Sequence, residues 1–325
     1  MRAALCKAYG PPESLVIEET DSPPLFPAGV RIDVKAAGIN FPDVLMIKGE
    51  YQFKPPFPFA PGAEVAGVVS EVGADVTNVK VGDRVIAMCG AGGFATEVVV
   101  GGNSVLPMPD EMDFVTASGL TLTYGTSIYA LKQRAQLQAG ETLLVHGASG
   151  GVGLSAVEIG RAMGAHVIGT GGDDEKLKVA LEHGCDHVIN YRSGDFKDEV
   201  KALTDGKGAD VIYDPVGGDI FDQSLRCIAW DGRLLVIGFA GGRIPAPPAN
   251  LILLKSCSVV GVFWGAWSSR EPAANRDNLN QVVQWWREGT IKPHVSHTFP
   301  LDKTADALYA VINRQVVGKA VITMD

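Results

Sequence analysis

The rhythm of apolar and polar residues changes once along the chain. Up to about residue 115, short runs with a two-residue period (28–37, 64–72, 84–88 and 95–100) are punctuated by glycine and proline, the mark of half-buried strands. Residues 53–61 hold too many prolines for a ladder and are expected as an ordered loop. From about Ser118 the pattern becomes strand, turn, helix, repeated. The apolar run 142–146 passes through glycines into a helical stretch over 152–163. Strands then follow at 166–170, 187–190, 209–214 and 233–237, with helices over 174–183, 195–204 and 219–228 between them. Such alternation predicts an α/β fold whose doubly wound parallel sheet carries helices on both faces. Gly164, Gly184 and Gly206 stand where helices should end, and Asp173 or Asp174 where one should begin. A strand over 256–263 precedes two amphipathic helices. One has Leu279, Val282, Val283 and Trp286 on a face; the other has Ala305, Leu308, Tyr309 and Ile312 behind a capping Asp302. A last strand, 318–323, is expected to return to the first domain. The domains read as 1–117 with 264–325, which is β-rich, and 118–263, which is α/β.

Composition narrows the function classes. With 325 residues, roughly two domains are expected. The 37 acidic residues against 28 basic give a net charge of −9, which argues against a nucleic-acid or anionic-membrane partner. No run of about 18 apolar residues is present, and the first residues lack the apolar core of a signal peptide. The five cysteines (6, 89, 185, 227 and 257) are scattered and odd in number, the usage of a reducing compartment; the expectation is a cytoplasmic protein. His183, Cys185 and His187 straddle a helix end and a strand start, and His294 with His297 lacks a third ligand. No metal site is expected at either.

The sharpest local signal is Leu144-Val145-His146-Gly147-Ala148-Ser149-Gly150-Gly151-Val152-Gly153. It runs from a predicted strand into a predicted helix, the setting in which G-x-G-x-x-G binds a dinucleotide. Ala148 replaces the first glycine, while Gly150 admits the backbone to a pyrophosphate and Gly153 lets helix and strand pack closely. Ser149, Gly150, Gly151, Val152 and Gly153 would thus cradle phosphate at a helix N-terminus. The second strand ends Ile168-Gly169-Thr170-Gly171-Gly172 with no carboxylate for a ribose diol. Asp173 and Asp174 read as a helix cap, and Lys176 could reach a 2′-phosphate, so NADP(H) is expected over NAD(H).

Taken with Ala37-Gly38-Ile39-Asn40-Phe41-Pro42-Asp43, Pro61-Gly62-Ala63-Glu64-Val65-Ala66-Gly67 and Val81-Gly82-Asp83-Arg84-Val85, this loop gives the chain a resemblance to the medium-chain dehydrogenase/reductases. Within them it resembles the zinc-free NADPH:quinone oxidoreductase branch, over essentially its whole length. The resemblance implies a Rossmann domain and a GroES-like catalytic domain. Zinc-dependent members carry a ligand Cys where this chain has Asn40, and a ligand His where it has Ala63. Their third ligand falls near Leu122, and of their four-cysteine lobe only Cys89 remains. A catalytic zinc needs three N, S or O ligands, so no metal is expected.

The same resemblance places further residues. Asn40 would face the cleft near the nicotinamide, with Thr126 on the nicotinamide side and Tyr51 as the candidate acid. Thr170, Gly171, Lys176 and Tyr191 would surround the adenosine ribose and its phosphate. Gly238, Phe239 and Ala240, then Phe263 and Trp264, would lie along the nicotinamide ribose and amide. Arg314 would reach the 2′-phosphate or simply sit well at a helix end. Independently of the resemblance, the aromatic residues Phe41, Phe53, Phe57, Phe59, Trp264 and Trp267 would wall an apolar substrate pocket or fill the core between the domains. The expected activity is hydride transfer from NADPH to a small apolar electrophile, a quinone or an α,β-unsaturated carbonyl. An enoyl-thioester reductase and a non-catalytic NADPH-binding protein are the alternatives. A homodimer is expected, with the strand near 257–262 pairing with its mate.

Overall fold

β1 (Arg2–Leu5) and β2 (Val16–Glu19) form a short antiparallel pair. They are followed by β3 (Gly29–Gly38), helix α1 (Phe41–Ile47), β4 (Glu64–Val72), β5 (Arg84–Met88), β6 (Glu97–Gly101), β7 (Val105–Pro107) and helix α2 (Phe114–Ser118). In β3, Val30, Ile32 and Val34 point into the core while Asp33 and Lys35 face out. Its last residues are buried on both faces, because α2 covers the second one.

The chain then enters α3 (Thr121–Ile128), which runs on as a π-helical turn over Tyr129–Arg134. β8 (Thr142–His146), α4 (Gly151–Ala162), β9 (His166–Gly171), α5 (Asp174–Glu182), β10 (His187–Asn190) and α6 (Phe196–Leu203) follow. Next come β11 (Ala209–Asp214), α7 (Gly218–Cys227), β12 (Ile228–Val236), α8 (Ala249–Lys255), β13 (Ser258–Gly261), α9 (Trp264–Arg270) and α10 (Pro272–Arg287). The six strands are all parallel, in the order β10-β9-β8-β11-β12-β13. This is the Rossmann order, with the switch point between β8 and β11. Central strands of such sheets are covered on both sides, and Leu143, Leu144 and Val145 are wholly buried.

β14 (Val295–Pro300), α11 (Thr304–Ile312) and β15 (Lys319–Thr323) close the chain. β15 pairs antiparallel with β3, as the sequence predicts for a returning strand, in a seven-stranded sheet ordered β14-β15-β3-β4-β5-β7 with β6 on β3. The computed structural model describes residues 1–324. It resolves into two compact units, Met1–Leu122 with the segment from Pro293 onward, and Thr123–Lys292. Among the described residues no helix is long and apolar enough to cross a membrane.

The predicted elements stand with small shifts at their ends, and four readings need correction. Residues 264–292 belong to the second unit, not the first. Trp267 stacks on Tyr129 with ring centroids 4.4 Å apart, and Asn278 exchanges hydrogen bonds with Gln133. Asp302 does not cap α11. It lies in a 3-10 turn, Leu301–Lys303, and Thr304 donates to the Leu301 carbonyl at 2.6 Å instead. The inward face of α11 is turned toward Thr304, Ala307 and Leu308, because Tyr309 swings out to bond Glu13. Helix α8, preceded by prolines and burying no residue, has no counterpart in the sequence reading.

Candidate active site

In the second unit the chain leaves β8 through Gly147, which takes φ +59°, a conformation costly for residues with a Cβ. It enters α4 with Gly150 as N-cap. A Cβ on Gly153 would lie 2.0 Å from the Gly147 carbonyl oxygen, so helix and loop meet only because that residue is glycine. On the same face, a Cβ on Gly160 would lie 2.4 Å from Leu143 Cδ2. Ser149, Gly150, Gly151 and Val152 are half-buried around the helix start, whose first N–H groups have no intrahelical acceptor. At the carboxyl end of β11, Asp214 Oδ1 accepts from Val216 and Gly217 N–H at 2.8 and 2.9 Å. Its buried Oδ2 has no partner among the described residues, and burial raises its pKa. An open backbone cradle, a helix N-terminus and an orphan polar atom at the switch point fit a dinucleotide.

The carboxyl end of β9 corrects one reading and adds a residue. Thr170 is fully buried and its side chain is paired with Nδ1 of His146 at 2.8 Å, so the hydroxyl is not offered to a ribose. Its carbonyl accepts from the Ala148 N–H at 3.0 Å. Gly171 is buried against Leu177. Asp173 caps α5 by accepting from the Lys176 N–H at 3.1 Å, and Asp174 accepts from the Asn190 amide at 2.8 Å. Both acids are thus engaged, Asp173 as the predicted cap and Asp174 with Asn190. Lys176 is half-buried in the first turn of α5. Beside Gly172, a Cβ would meet Arg192 Nε at 2.9 Å and the Tyr191 hydroxyl at 3.2 Å. Arg192, exposed and directly after Tyr191, is the cation that the sequence reading missed. Its neighbour Gly172 is twenty residues away along the chain, and only the pairing of β9 with β10 joins them.

The positions expected along the nicotinamide separate into two kinds. The Gly238 and Ala240 N–H groups bond the Asp214 and Pro215 carbonyls at 3.4 and 3.0 Å, which fixes the loop after β12 while the Phe239 ring stays exposed. Phe263 is 61% exposed, but Trp264 is buried, with Nε1 donating to Asn275 Oδ1 at 2.9 Å. A Cβ on Gly125 would lie 2.6 Å from the Trp264 ring, so this indole is a packing element beside Thr126, itself half-buried. Trp264 is therefore corrected from a cofactor contact to an anchor of α9.

In the first unit the polar centre lies where β3, α1, β4 and β15 meet. Asn40 is only 5% exposed and its carboxamide is engaged: Nδ2 donates to Glu64 Oε1 at 2.9 Å and Oδ1 accepts from Lys319 Nζ at 2.6 Å. Glu64 Oε2 accepts from the Leu122 N–H at 2.8 Å. Asp43, fully buried, accepts from the Asn40 and Gly62 N–H groups at 2.8 and 3.1 Å. Burial pushes its carboxyl up to about 7, against the opposing pull of those bonds and of Lys319. Tyr51 packs on the edge of this core. Burial first, then the Asp43 charge, raises its pKa, favouring the protonated phenol. Lys319 was not legible as a site residue, since a lysine in a short terminal strand reads as an edge charge. Arg314 ends α11 with φ +56° in this same unit. The expected aromatic wall divides: Phe57 stacks on Phe59 at 5.6 Å in the first unit, and Trp267 on Tyr129 in the second.

These groups do not match a zinc centre. Ala63 and Leu122 carry no donor side chain, and Glu64 already holds an ammonium at 2.8 Å. Among the described residues no three His, Cys, Asp or Glu side chains gather at one point.

Comparison with known proteins agrees with this architecture. Residues 27–110 match the alcohol dehydrogenase GroES-like domain, and residues 151–281 match the zinc-binding dehydrogenase family. A quinone oxidoreductase-like protein 2 homolog of Nematostella vectensis is 43% identical over 99% of this chain and 88% of its own length. The Homo sapiens quinone oxidoreductase is 32% identical over 100% of this chain and 98% of its own. The Escherichia coli quinone oxidoreductase complexed with NADPH superposes with a TM-score of 0.92 at 29% identity, over 99% of this chain and 100% of that one. CurK enoyl reductase does so with a TM-score of 0.90 at 28% identity, over 100% of this chain and 99% of that one. The chain belongs to the medium-chain dehydrogenase/reductases, in their quinone oxidoreductase-like branch.

Proposed function

We propose that this protein is an NADPH-dependent reductase that delivers hydride, without zinc, to a quinone or an α,β-unsaturated carbonyl. The observation that carries the reading is the ammonium of Lys319 on Glu64, in the set where zinc members hold their metal. With no Lewis acid to polarise an alcohol oxygen, the substrate must be an acceptor that delocalises incoming charge by itself. Conjugated enones and quinones do so, and catalysis then rests on positioning and exclusion of water.

Gly150 to Gly153 and the start of α4 would hold the pyrophosphate. Arg192 with Lys176 would hold the 2′-phosphate, and Tyr191 would flank the adenosine beside a depression formed with Phe196, Ile220 and Gln223. NADPH in the Escherichia coli relative supports that choice. Bound there, the reduced nicotinamide supplies the hydride. Thr126 and the loop Gly238 to Ala240 with Phe263 would orient its ring end. In the first unit Tyr51, kept protonated, would donate a hydrogen bond or a proton to the acceptor oxygen. Asn40 would present an amide N–H to the same oxygen.

Stopped-flow oxidation of bound NADPH against a panel of quinones, enals and enoyl thioesters tests the reading. Turnover on a quinone or enal is the expected result; tight NADPH binding with no turnover on any acceptor defeats it. The likeness to CurK enoyl reductase and the placement of Tyr51 favour an enoyl thioester as the second acceptor to try. We also propose a homodimer in a reducing compartment. β13 ends the parallel sheet with an open edge, and Trp230, Leu253 and Leu254 are 68%, 78% and 68% exposed.

A further inference from the structure

The geometry points to Lys319 as a tethered cation that fills a three-oxygen site in the first unit and sets the side chains of Asn40 and Glu64. Its Nζ donates to the Ile39 carbonyl at 2.8 Å, to Asn40 Oδ1 at 2.6 Å and to Glu64 Oε1 at 2.8 Å, using all three ammonium hydrogens. Lys319 is 5% exposed and Glu64 0%, so the charge does not escape to solvent. A buried ion pair persists when its remaining hydrogen-bonding capacity is met, and here it is. Close packing holds the stem and the partner in place. A Cβ on Gly119 would lie 3.2 Å from Lys319 Cγ, and one on Gly38 would lie 2.7 Å from Glu64 Oε1.

The ammonium decides which way the Asn40 carboxamide faces. Flipping the amide would set its NH2 against the ammonium and its oxygen against the carboxylate, both repulsive. In the orientation held, one Nδ2 hydrogen is committed to Glu64, while the other has only a 3.4 Å contact with the Gly38 carbonyl. A cation on Oδ1 draws electron density toward it and strengthens the donor at the other end of the amide. That loosely held N–H is the donor suited to an acceptor oxygen that gains negative charge as hydride arrives. Lys319 is thus a positioning residue that acts through Asn40. Its catalytic meaning rests on the reading under Proposed function; the cation site does not.

The test is chemical replacement of the lysine. Lys319→Ala leaves three oxygens facing a gap the length of n-propylammonium. Melting temperature and NADPH oxidation by 1,4-benzoquinone are measured with and without that amine, with tetramethylammonium as a cation that has no N–H. We expect the variant to melt lower than the parent and to regain stability saturably with propylammonium alone. We also expect kcat to fall about tenfold with the NADPH Kd unchanged, and to recover with the same amine, while the parent responds to neither salt. A variant with parental kcat, or one as indifferent to propylammonium as the parent, overturns the proposal. If the parent turns over no quinone, enal or enoyl thioester, the proposed function fails while the melting series still decides the cation site. Should Lys319→Ala not fold, reductive methylation of the unaltered protein serves. Lys319 should escape modification while the exposed Lys178 reacts, and equal rates overturn the proposal.

Discussion

Thr170 and His146 are joined by a bond of 2.8 Å between Oγ1 and Nδ1, at the buried carboxyl ends of two neighbouring strands. Ser224 Oγ donates to the Ile220 carbonyl at 2.7 Å, so it accepts from Nε2–H of the same imidazole at 2.8 Å. That assigns the tautomer and makes the Thr170 hydroxyl the donor to Nδ1. Thr170→Val, which strands that nitrogen, should cost about 1–3 kcal/mol of stability by urea unfolding and leave NADPH affinity unchanged.

The same histidine sets part of the acid limb of stability. Burial lowers its pKa from 6.5 to about 3, so between those values the unfolded chain holds a proton that the native state does not. Its contribution is complete above the unfolded value and is lost as pH falls from 6.5 toward 3. His146→Gln should flatten the decline of melting temperature over that window.

Arg192 lies against Gly172, where a 2′-phosphate would distinguish the two dinucleotides. Arg192→Ala should weaken NADPH by about tenfold, the scale of one charge-assisted contact, and leave NADH unaffected. Calorimetry with both coenzymes checks this; equal losses for the two would remove Arg192 from the phosphate site.

Gly153→Ala forces a methyl group to within 2.0 Å of the Gly147 carbonyl oxygen. Helix α4 must shift away from β8, at about 1–3 kcal/mol, and the phosphate cradle shifts with it. Thermal unfolding should show the lower stability, and fluorescence titration should show NADPH affinity falling in the same variant.

Tyr51→Phe removes the phenolic hydroxyl and keeps the ring in its packing. A loss of about tenfold or more in kcat/KM on the best acceptor is expected if the phenol serves as acid. A loss below about threefold would make Tyr51 a packing residue only.

The phosphate loop was legible because everything it needs lies within ten residues: a buried strand, glycines at fixed offsets and a helix start. Asp173 as a cap was legible for the same reason. Arg192 and Lys319 were not. Each acquires its meaning from a strand pairing, β9 with β10 for one and β15 with β3 for the other, that no short window contains. Trp264 misled because an aromatic after a sheet strand suits a cofactor wall and a helix anchor equally. Only its bond to Asn275 and its closeness to Gly125 decide between them.

β15 carries Lys319 and joins its sheet by pairing with β3, although some 170 residues of the parallel-sheet unit separate the first unit's two segments in the chain. A ribosome therefore delivers Asn40 and Glu64 long before the ammonium that bonds the one and neutralises the other. Until β15 emerges, the Glu64 carboxylate lacks this counter-ion, and residues 36–38 of β3 lack their partner strand. The first unit is thus completed only after the whole parallel-sheet unit has been made, and a chain that stops before β15 carries the nucleotide fold without a finished partner.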